Sequence, residues 1–443
     1  MWKYVSKEKS DMNNKRMNEL NIKGKIALVA ILLILSCLVG YMLLVMAYGI
    51  PTDYMKGNMS ESAGIIKTEG RYFRTMNREN SQLDNYTDSL MLLTASHPTT
   101  ENAWKGAINV SRYYRSDKKP DEVLVDKYLG KGKGYNEVQY SRYWHGYLVF
   151  LKPLIALFDY GTIRYLLMFL QIGLFALLVS KSSTINKRLI FPIIFLWIFL
   201  NPVSTMMSLQ FGSVTIITFC AMLFILCKSR KWQGNLFLWN IFFMLVGIIT
   251  SYMDLLTFPL ITLGIPLTLW VCMYQRDKVK GNIMNIVEKS FFWAVGYGGM
   301  WALKWLLGSI ITGQNIIRNA FDTIEVRTSS SAAKEKINFV NVLYREFKAS
   351  YQIGVVIALI ILIVIFVITL YKTRHIKVNN IIPYAIMACY PIAWYVLIQN
   401  HSYIHYWFAY RELAISVFAV SLCIMMLMRK ENYGQDCSFN TML

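Results

Sequence analysis

Long apolar stretches alternate with short polar ones along most of the chain. The runs 26–48, 353–371 and 408–428 contain almost no charged residue, and each is long enough to cross a hydrocarbon core, which needs roughly 20 residues. In such a run only a helix satisfies its own backbone groups. The pattern predicts an all-α, polytopic helical membrane protein with about ten transmembrane helices. The predicted spans are about 26–49, 164–180, 189–203, 209–227, 235–250, 254–274, 288–312, 352–371, 381–399 and 405–428.

Two long polar segments divide these spans into groups. The segment 50–163 follows the first span (26–49), and the segment 313–350 separates the second to seventh spans (164–312) from the last three (351–428). The sequence shows no internal repeat. Each polar segment is therefore expected to be a loop between spans rather than a repeated domain.

One apolar run inside the first loop is too short to span. It covers 148–158, about 11 residues, and four aromatic residues precede it closely. Amphipathic aromatic side chains favour the headgroup region of a bilayer. We therefore expect a helix near 140–160 that lies in the membrane interface.

The distribution of lysine and arginine residues predicts the orientation of the spans in the membrane. They occur in the N-terminal segment 1–25, in every second short connection and at the start of the tail 429–443, whereas the other short turns contain none. The positive-inside rule then predicts that both termini are cytosolic and that 50–163 and 313–350 lie outside. The expected location is a bacterial plasma membrane, crossed many times.

Composition and charge agree with this prediction and exclude other classes. Apolar residues make up 55% of the chain and charged residues 16%. The formal charge of +20 comes mostly from basic residues that flank apolar runs, so nucleic acid is not an expected partner, whereas membrane lipids are. None of the seven cysteines lies in the two loops, so no disulfide framework is expected there.

Three acids in the first loop are candidate catalytic residues. Asp84 and Asp88 are four residues apart at the start of an apolar run, so on a helix they share one face. Paired carboxylates raise one another's pKa and supply a general base; the alternative is an N-cap Asp84 with a solvated Asp88. Asp53 directly follows the first span, where a lipid-linked substrate presents its head group, or it is an ordinary polar residue ending a span.

Candidate substrate-binding residues lie near predicted membrane boundaries. Arg142, His145 and Lys152 accompany the aromatic residues of the interfacial segment, where cations beside aromatics suit a phosphate or a sugar. The alternative is interfacial anchoring alone. Asp254 opens the predicted sixth span, either to contact substrate or to cap the helix.

The last predicted hairpin carries further candidates. Arg411 lies about two turns inside the last span, where an unpaired charge is costly. It is expected to bind a lipid-linked phosphate, or to pair with Glu412 or a carbonyl. His401 and His405 are four residues apart, but no third ligand accompanies them. We therefore expect them in substrate binding, with no metal and no other cofactor; the sequence does not support a divalent metal.

A long first outer loop with acidic residues, a membrane-lying helix within it and a many-span body resemble the GT-C class of glycosyltransferases. The resemblance is architectural and covers most of the chain. It implies a polyprenyl-phosphate-linked sugar donor and transfer on the outer face to a cell-envelope glycan, lipid or protein. It also implies a first-loop acid as base, for which Asp53 matches best by position, although the tandem acidic pattern of familiar members is missing.

Other classes of function stay open on the sequence. A transporter or flippase of lipid-linked glycans would want ionisable groups near the midplane, and Lys304 in the seventh span favours it. A polysaccharide polymerase or ligase would also act outside, but its large loop more often comes late in the chain. A noncatalytic membrane assembly protein is the third alternative.

Overall fold

The computed structural model describes residues 21–99, 102–130, 132–229, 231–232, 234–274, 279–332, 335–350 and 381–429, with scattered positions between 357 and 368. Most of the N-terminal segment, most of the predicted eighth span and nearly all of the C-terminal tail lie outside the described residues.

The described chain is helical apart from two short antiparallel β-pairs. The helices are α1 (Ile22–Tyr48), α2 (Lys56–Glu69), α3 (Asn85–Ala95), α4 (Ala103–Asn109), α5 (Pro120–Leu129), α6 (Leu148–Leu157), α7 (Tyr160–Ile185), α8 (Ile190–Leu200), α9 (Pro202–Met207), α10 (Leu209–Lys228), α11 (Leu236–Met253), α12 (Ile261–Tyr274), α13 (Val279–Thr312), α14 (Ile316–Thr328), α15 (Phe339–Ser350), α16 (Ile382–Ala388), α17 (Tyr390–Leu397), α18 (Gln399–Ala409) and α19 (Ala414–Arg429). The strands are β1 (Arg112–Tyr114) with β2 (Asn136–Val138), and β3 (Ser331–Ala332) with β4 (Glu335–Lys336).

Five helical stretches are long and apolar enough to cross a membrane: α1, α7, α10, α11 and the stretch Gln399–Leu427, which joins α18 to α19 through a 3-10 turn. The apolar helices α6 and α12 and the stretch Ile382–Leu397 are shorter. The chain is thus an all-helical protein with the helices of a membrane protein. The number of spans and their orientation stay predictions.

Local backbone chemistry moves several predicted boundaries. The sixth span was expected from 254, but α12 begins at Ile261. Asp254 caps the preceding turn by accepting the backbone N–H of Thr257 at 3.0 Å, and Leu256 has a left-handed φ of 64°. Both features hold this stretch outside a helix. The ninth span is divided between α16 and α17, where Pro391 supplies no N–H for a continuous helix.

The interfacial helix is also shorter than expected. It is α6 alone, and the residues before it form a turn in which His145 has a left-handed φ of 56°. A left-handed residue interrupts helical hydrogen bonding. The predicted helix at 140–160 therefore becomes a compact loop followed by ten helical residues.

The first loop folds back onto the helical body. The Trp144 indole donates to the Met300 carbonyl of α13 at 2.7 Å, and the Gly146 N–H donates to the Tyr252 carbonyl of α11 at 2.8 Å. In the body, α11 and α13 cross closely at Gly247 and Gly296, where an added methyl group would overlap the facing backbone. Loop and body share one hydrophobic core, which fixes the loop's polar residues against the helices.

Candidate functional site

A cavity of about 600 Å³ lies where the first loop meets α14 and α18. Its cationic residues are Arg71, Arg112, Lys119, Arg142 and Arg327. Its aromatic residues are Tyr72, Tyr86, Tyr140, Tyr143, Trp407 and Phe408. Four of the predicted residues line it, Asp84, Arg142, His401 and His405, and Asp84 is the one acid among the described lining residues.

Asp84 is positioned by the start of α3. It is the N-cap residue, and its carboxylate accepts the backbone N–H of Thr87 at 3.2 Å. The side chain is only 3% exposed, and burial, with a smaller effect from the charge of Asp88, raises its pKa to about 7. No described basic side chain lies within ion-pairing distance of Asp84. A carboxyl group with this pKa suits general-base chemistry near neutral pH.

Asp88 has a different environment, although it lies one turn away. Its carboxylate accepts the Tyr160 hydroxyl at 2.5 Å and the backbone N–H groups of Leu209 and Gln210 at 3.0 and 3.2 Å. The alternative in which Asp88 is solvated is wrong, because Asp88 is fully buried. It joins α3 to α7 and to the N-terminus of α10, where a carboxylate is favourable.

Asp53 lies away from the cavity. It is exposed and forms an ion pair with Lys56 at 2.7 Å. Exposed pairs of this kind contribute little to stability. The structure therefore places only Asp84 of the three candidate catalytic acids at the cavity wall.

Three cavity arginines lack a carboxylate partner in the described part of the chain. Arg142 donates to the amide oxygen of Asn319 at 3.2 Å, and its Nε has no partner. Arg112 donates to the backbone carbonyl of Tyr113 at 3.3 Å, and its Nε is also buried without a partner. Arg327 is the third. Guanidinium groups stay charged and match phosphate or carboxylate through paired donors, so these three favour an anionic ligand.

Arg327 contacts both predicted histidines. One guanidinium nitrogen lies 3.3 Å from His401 Nδ1 and 3.2 Å from His405 Nε2. Because a guanidinium only donates, both ring nitrogens must accept and carry no proton. The histidines thus orient Arg327 and add no positive charge of their own. Among the residues described, no group of three His, Cys, Asp or Glu side chains is arranged to hold a metal ion.

Four other predicted residues are buried in structural contacts. His145 lies between the Tyr147 hydroxyl and the Tyr140 carbonyl, each at 3.0 Å, and burial, followed by the charge of Lys304, lowers its pKa to about 3. Lys152 donates to the Ala95 carbonyl at 2.7 Å. Neither side chain lines the cavity.

Asp254 and Arg411 are the other two. Burial raises the pKa of Asp254 to about 6, and its carboxylate is occupied as the turn cap described above. Arg411 donates to the Leu200 carbonyl at 2.9 Å and to the Ser204 hydroxyl at 2.5 Å. The structural alternative for Arg411, a pairing with carbonyls, is thus what the structure contains, and it ties α8 and α9 to the turn before α19.

A second cavity, of about 350 Å³, adjoins the first. The two share Arg142, Tyr143, Leu256 and Arg327 as lining residues. The second cavity is largely apolar. It is lined by aromatic residues of α13, by an aliphatic residue of α14 and by one at the α17–α18 junction, which are Tyr297, Trp301, Trp305, Ile324 and Ile398. A polar cavity and an apolar one therefore meet at two arginines.

Several of these residues were not expected from the sequence. Arg327 lies in the last turn of α14, and Arg112 lies on a three-residue strand. Their only sequence signal is a basic residue within a loop. No family model, curated protein or solved structure matches the chain.

Proposed function

We propose that the protein is a membrane glycosyltransferase of GT-C type, which transfers a sugar from a polyprenyl-phosphate-linked donor to a cell-envelope acceptor. The observation that carries the proposal is the pair of adjoining cavities. One holds an unpaired, buried carboxylate among arginines and aromatic rings, the other is apolar, and Arg142 and Arg327 line both.

The donor has three parts that suit these surroundings. The isoprenoid chain would occupy the apolar cavity, against the tryptophans of α13. Its phosphate would lie at the junction, where Arg142 and Arg327 have donors and no carboxylate partner. The sugar would then enter the polar cavity, whose tyrosines and Trp407 offer flat faces for a sugar ring.

Asp84 would act as the base. Its carboxylate takes the proton of an acceptor hydroxyl, and the acceptor oxygen forms a bond with the anomeric carbon of the sugar. The bond between that carbon and the phosphate oxygen breaks, and its electron pair leaves on the lipid phosphate. Arg142 and Arg327 stabilise the negative charge that grows on this phosphate.

The proposed topology places this chemistry outside the cell. Ten spans with both termini in the cytosol would put the first loop, α14 and α15 on the outer face of a bacterial plasma membrane. In this topology the short helix α12 would form the sixth span, and α16 and α17 together would form the ninth. The accessibility of cysteines introduced at exposed positions such as Ser116 and Lys187 would report opposite sides of the membrane under this topology.

A strain from which the gene for this protein is deleted gives the direct test. Complementation with Asp84→Asn should leave surface glycans unmodified and lipid-linked sugars accumulated, whereas the matched Asp53→Asn, which changes an exposed acid outside the cavity, should restore the wild-type pattern. Recovery of glycan modification by Asp84→Asn would contradict the proposal. Movement of labelled lipid-linked sugar across vesicle membranes by Asp84→Asn protein would indicate a transporter instead.

The structure gives Lys304, the residue that favoured a transporter on the sequence, a different set of contacts. Its ammonium donates to the Ala107 and Ile108 carbonyls at 3.3 and 3.1 Å. These carbonyls end α4, where a cation is favourable. Lys304 thus has a structural role, joining the first loop to α13.

A further inference from the structure

The polar cavity has a second group of cations, apart from the junction arginines. Arg112 at the start of β1 and Lys119 before α5 both line it. Arg112 is half-buried, and burial lowers the pKa of its guanidinium. Desolvating a guanidinium is costly unless a partner offsets it, yet the one hydrogen bond of Arg112 to a described residue is to a backbone carbonyl, at 3.3 Å.

Arg112 lies beside the helix that holds the base, because β1 packs against α3, the helix that Asp84 caps. Burial raises the pKa of Tyr86, and the charges of Arg112 and Asp84 both act on its phenol. The junction arginines surround another phenol, Tyr143, whose pKa burial also raises and on which the charge of Arg327 acts. Arg112 and Lys119 thus line the polar cavity only, whereas Arg142 and Arg327 also line the apolar cavity.

We propose that Arg112 and Lys119 form an anion subsite for the acceptor, which carries a phosphate or carboxylate group close to its reacting hydroxyl. The inference rests on the proposed function, because the base must contact the acceptor and not the lipid. A neutral sugar acceptor would leave the Arg112 guanidinium desolvated without a counter-charge. An anionic acceptor neutralises it and is held with its hydroxyl toward Asp84.

The charges around this subsite favour one anionic group. Arg71 also lines the cavity, but its guanidinium forms ion pairs with Asp121 at 2.8 Å and Glu122 at 3.1 Å. Arg112 and Lys119 have no such carboxylate partners within the described ranges. Two available cations beside one carboxylate match a single phosphate or carboxylate on the ligand.

Binding of small anions to the full-length protein in lipid nanodiscs tests the proposal without turnover. The background variant carries Arg142→Gln and Arg327→Gln, which removes the junction pair. The probes are glycerol 3-phosphate, glucuronate and neutral glucose, titrated calorimetrically. We expect one of the two anions to bind, glucose not to bind, and added salt to weaken binding, since the contact is charge-assisted.

Variants in this background decide the site. Arg112→Gln should weaken anion binding by about 10- to 100-fold, the effect of losing a hydrogen bond to a charged group. Lys119→Gln, at an exposed position, should weaken it less, and Lys231→Gln, also exposed and outside the cavity, should leave it unchanged. Should Arg112→Gln fail to fold, Arg112→Lys and Lys119→Gln carry the comparison.

The outcomes are separate from those of the glycosyltransfer test. Equal anion binding by Arg112→Gln and by the background protein would overturn the subsite, as would glucose binding as tightly as glucuronate. Preference for glycerol 3-phosphate would identify a phosphorylated acceptor, and preference for glucuronate an acidic sugar. Anion binding that depends on Arg112 while Asp84→Asn still modifies glycans would retain the subsite and remove the proposed base.

Discussion

Replacement of Asp84 by asparagine separates catalysis from stability. The amide keeps nearly the shape of the carboxyl and still accepts the Thr87 N–H as a good N-cap. It cannot take a proton from an acceptor at neutral pH. We therefore expect the transfer rate to fall by about 10²- to 10⁴-fold, the usual contribution of a general base.

The same change should stabilise the fold at high pH. The folded Asp84 has a pKa of about 7 against an ordinary value of 3.8, a difference that corresponds to about 4 kcal/mol. Because the raised pKa means that the folded state binds more protons, the wild-type protein loses stability as the pH rises from about 4 to about 7. Asp84→Asn removes that cost, so its advantage in melting temperature should grow across this window and then level off.

Two measurements check this prediction. Transfer is followed with labelled lipid-linked sugars extracted from the deletion strain, where unused donor accumulates, and the wild-type rate should rise with pH to a plateau above about 7. Melting temperatures of both proteins are recorded in nanodiscs between pH 5 and 8.5. A wild-type rate that is flat across this range, or a variant that melts lower than wild type at pH 8, would refute the assignment of Asp84 as a buried base.

Three further predictions concern neighbouring groups. Arg327→Gln should raise the KM for the lipid-linked donor about 10- to 100-fold, while Arg318→Gln, an exposed control on the same helix outside both cavities, should not. Asp88→Asn should destabilise the protein by about 1–3 kcal/mol, because its amide would face donors that the carboxylate now accepts; an unchanged melting temperature would contradict this. Glu346 is buried without a hydrogen bond to any described residue, and burial, followed by the charge of Glu412, raises its pKa well above the usual range. Glu346→Gln should therefore melt at or above the wild-type temperature at pH 8, and a lower value would show that the charged form is needed.

The sequence predicted those features that depend on local pattern. Uncharged runs of about 20 residues predicted the long helices, and the N-cap role of Asp84 was one of the two alternatives that its position before an apolar run left open. Arg142 and His401 were also expected near a binding site, and the structure places both at the cavity wall.

Features that depend on tertiary packing were not accessible in this way. Asp84 and Asp88 look alike as a pair four residues apart, but only the second reaches the N-terminus of α10, more than a hundred residues later in the chain. Arg327 lines the same two cavities as Arg142 only because α14 packs beside the first loop, where Asn319 accepts a hydrogen bond from Arg142. His145 was expected to face a ligand, yet its left-handed backbone turns the ring into the protein.

In the proposed complex, one lipid-linked donor lies across the two cavities. A structure of the protein in nanodiscs with a polyprenyl-phosphate-linked sugar tests it most directly. The phosphate should lie within hydrogen-bonding distance of both Arg142 and Arg327, with the isoprenoid chain along Trp301 and Trp305 and the sugar toward Asp84. A donor phosphate bound elsewhere, or a lipid chain outside the apolar cavity, would contradict the account.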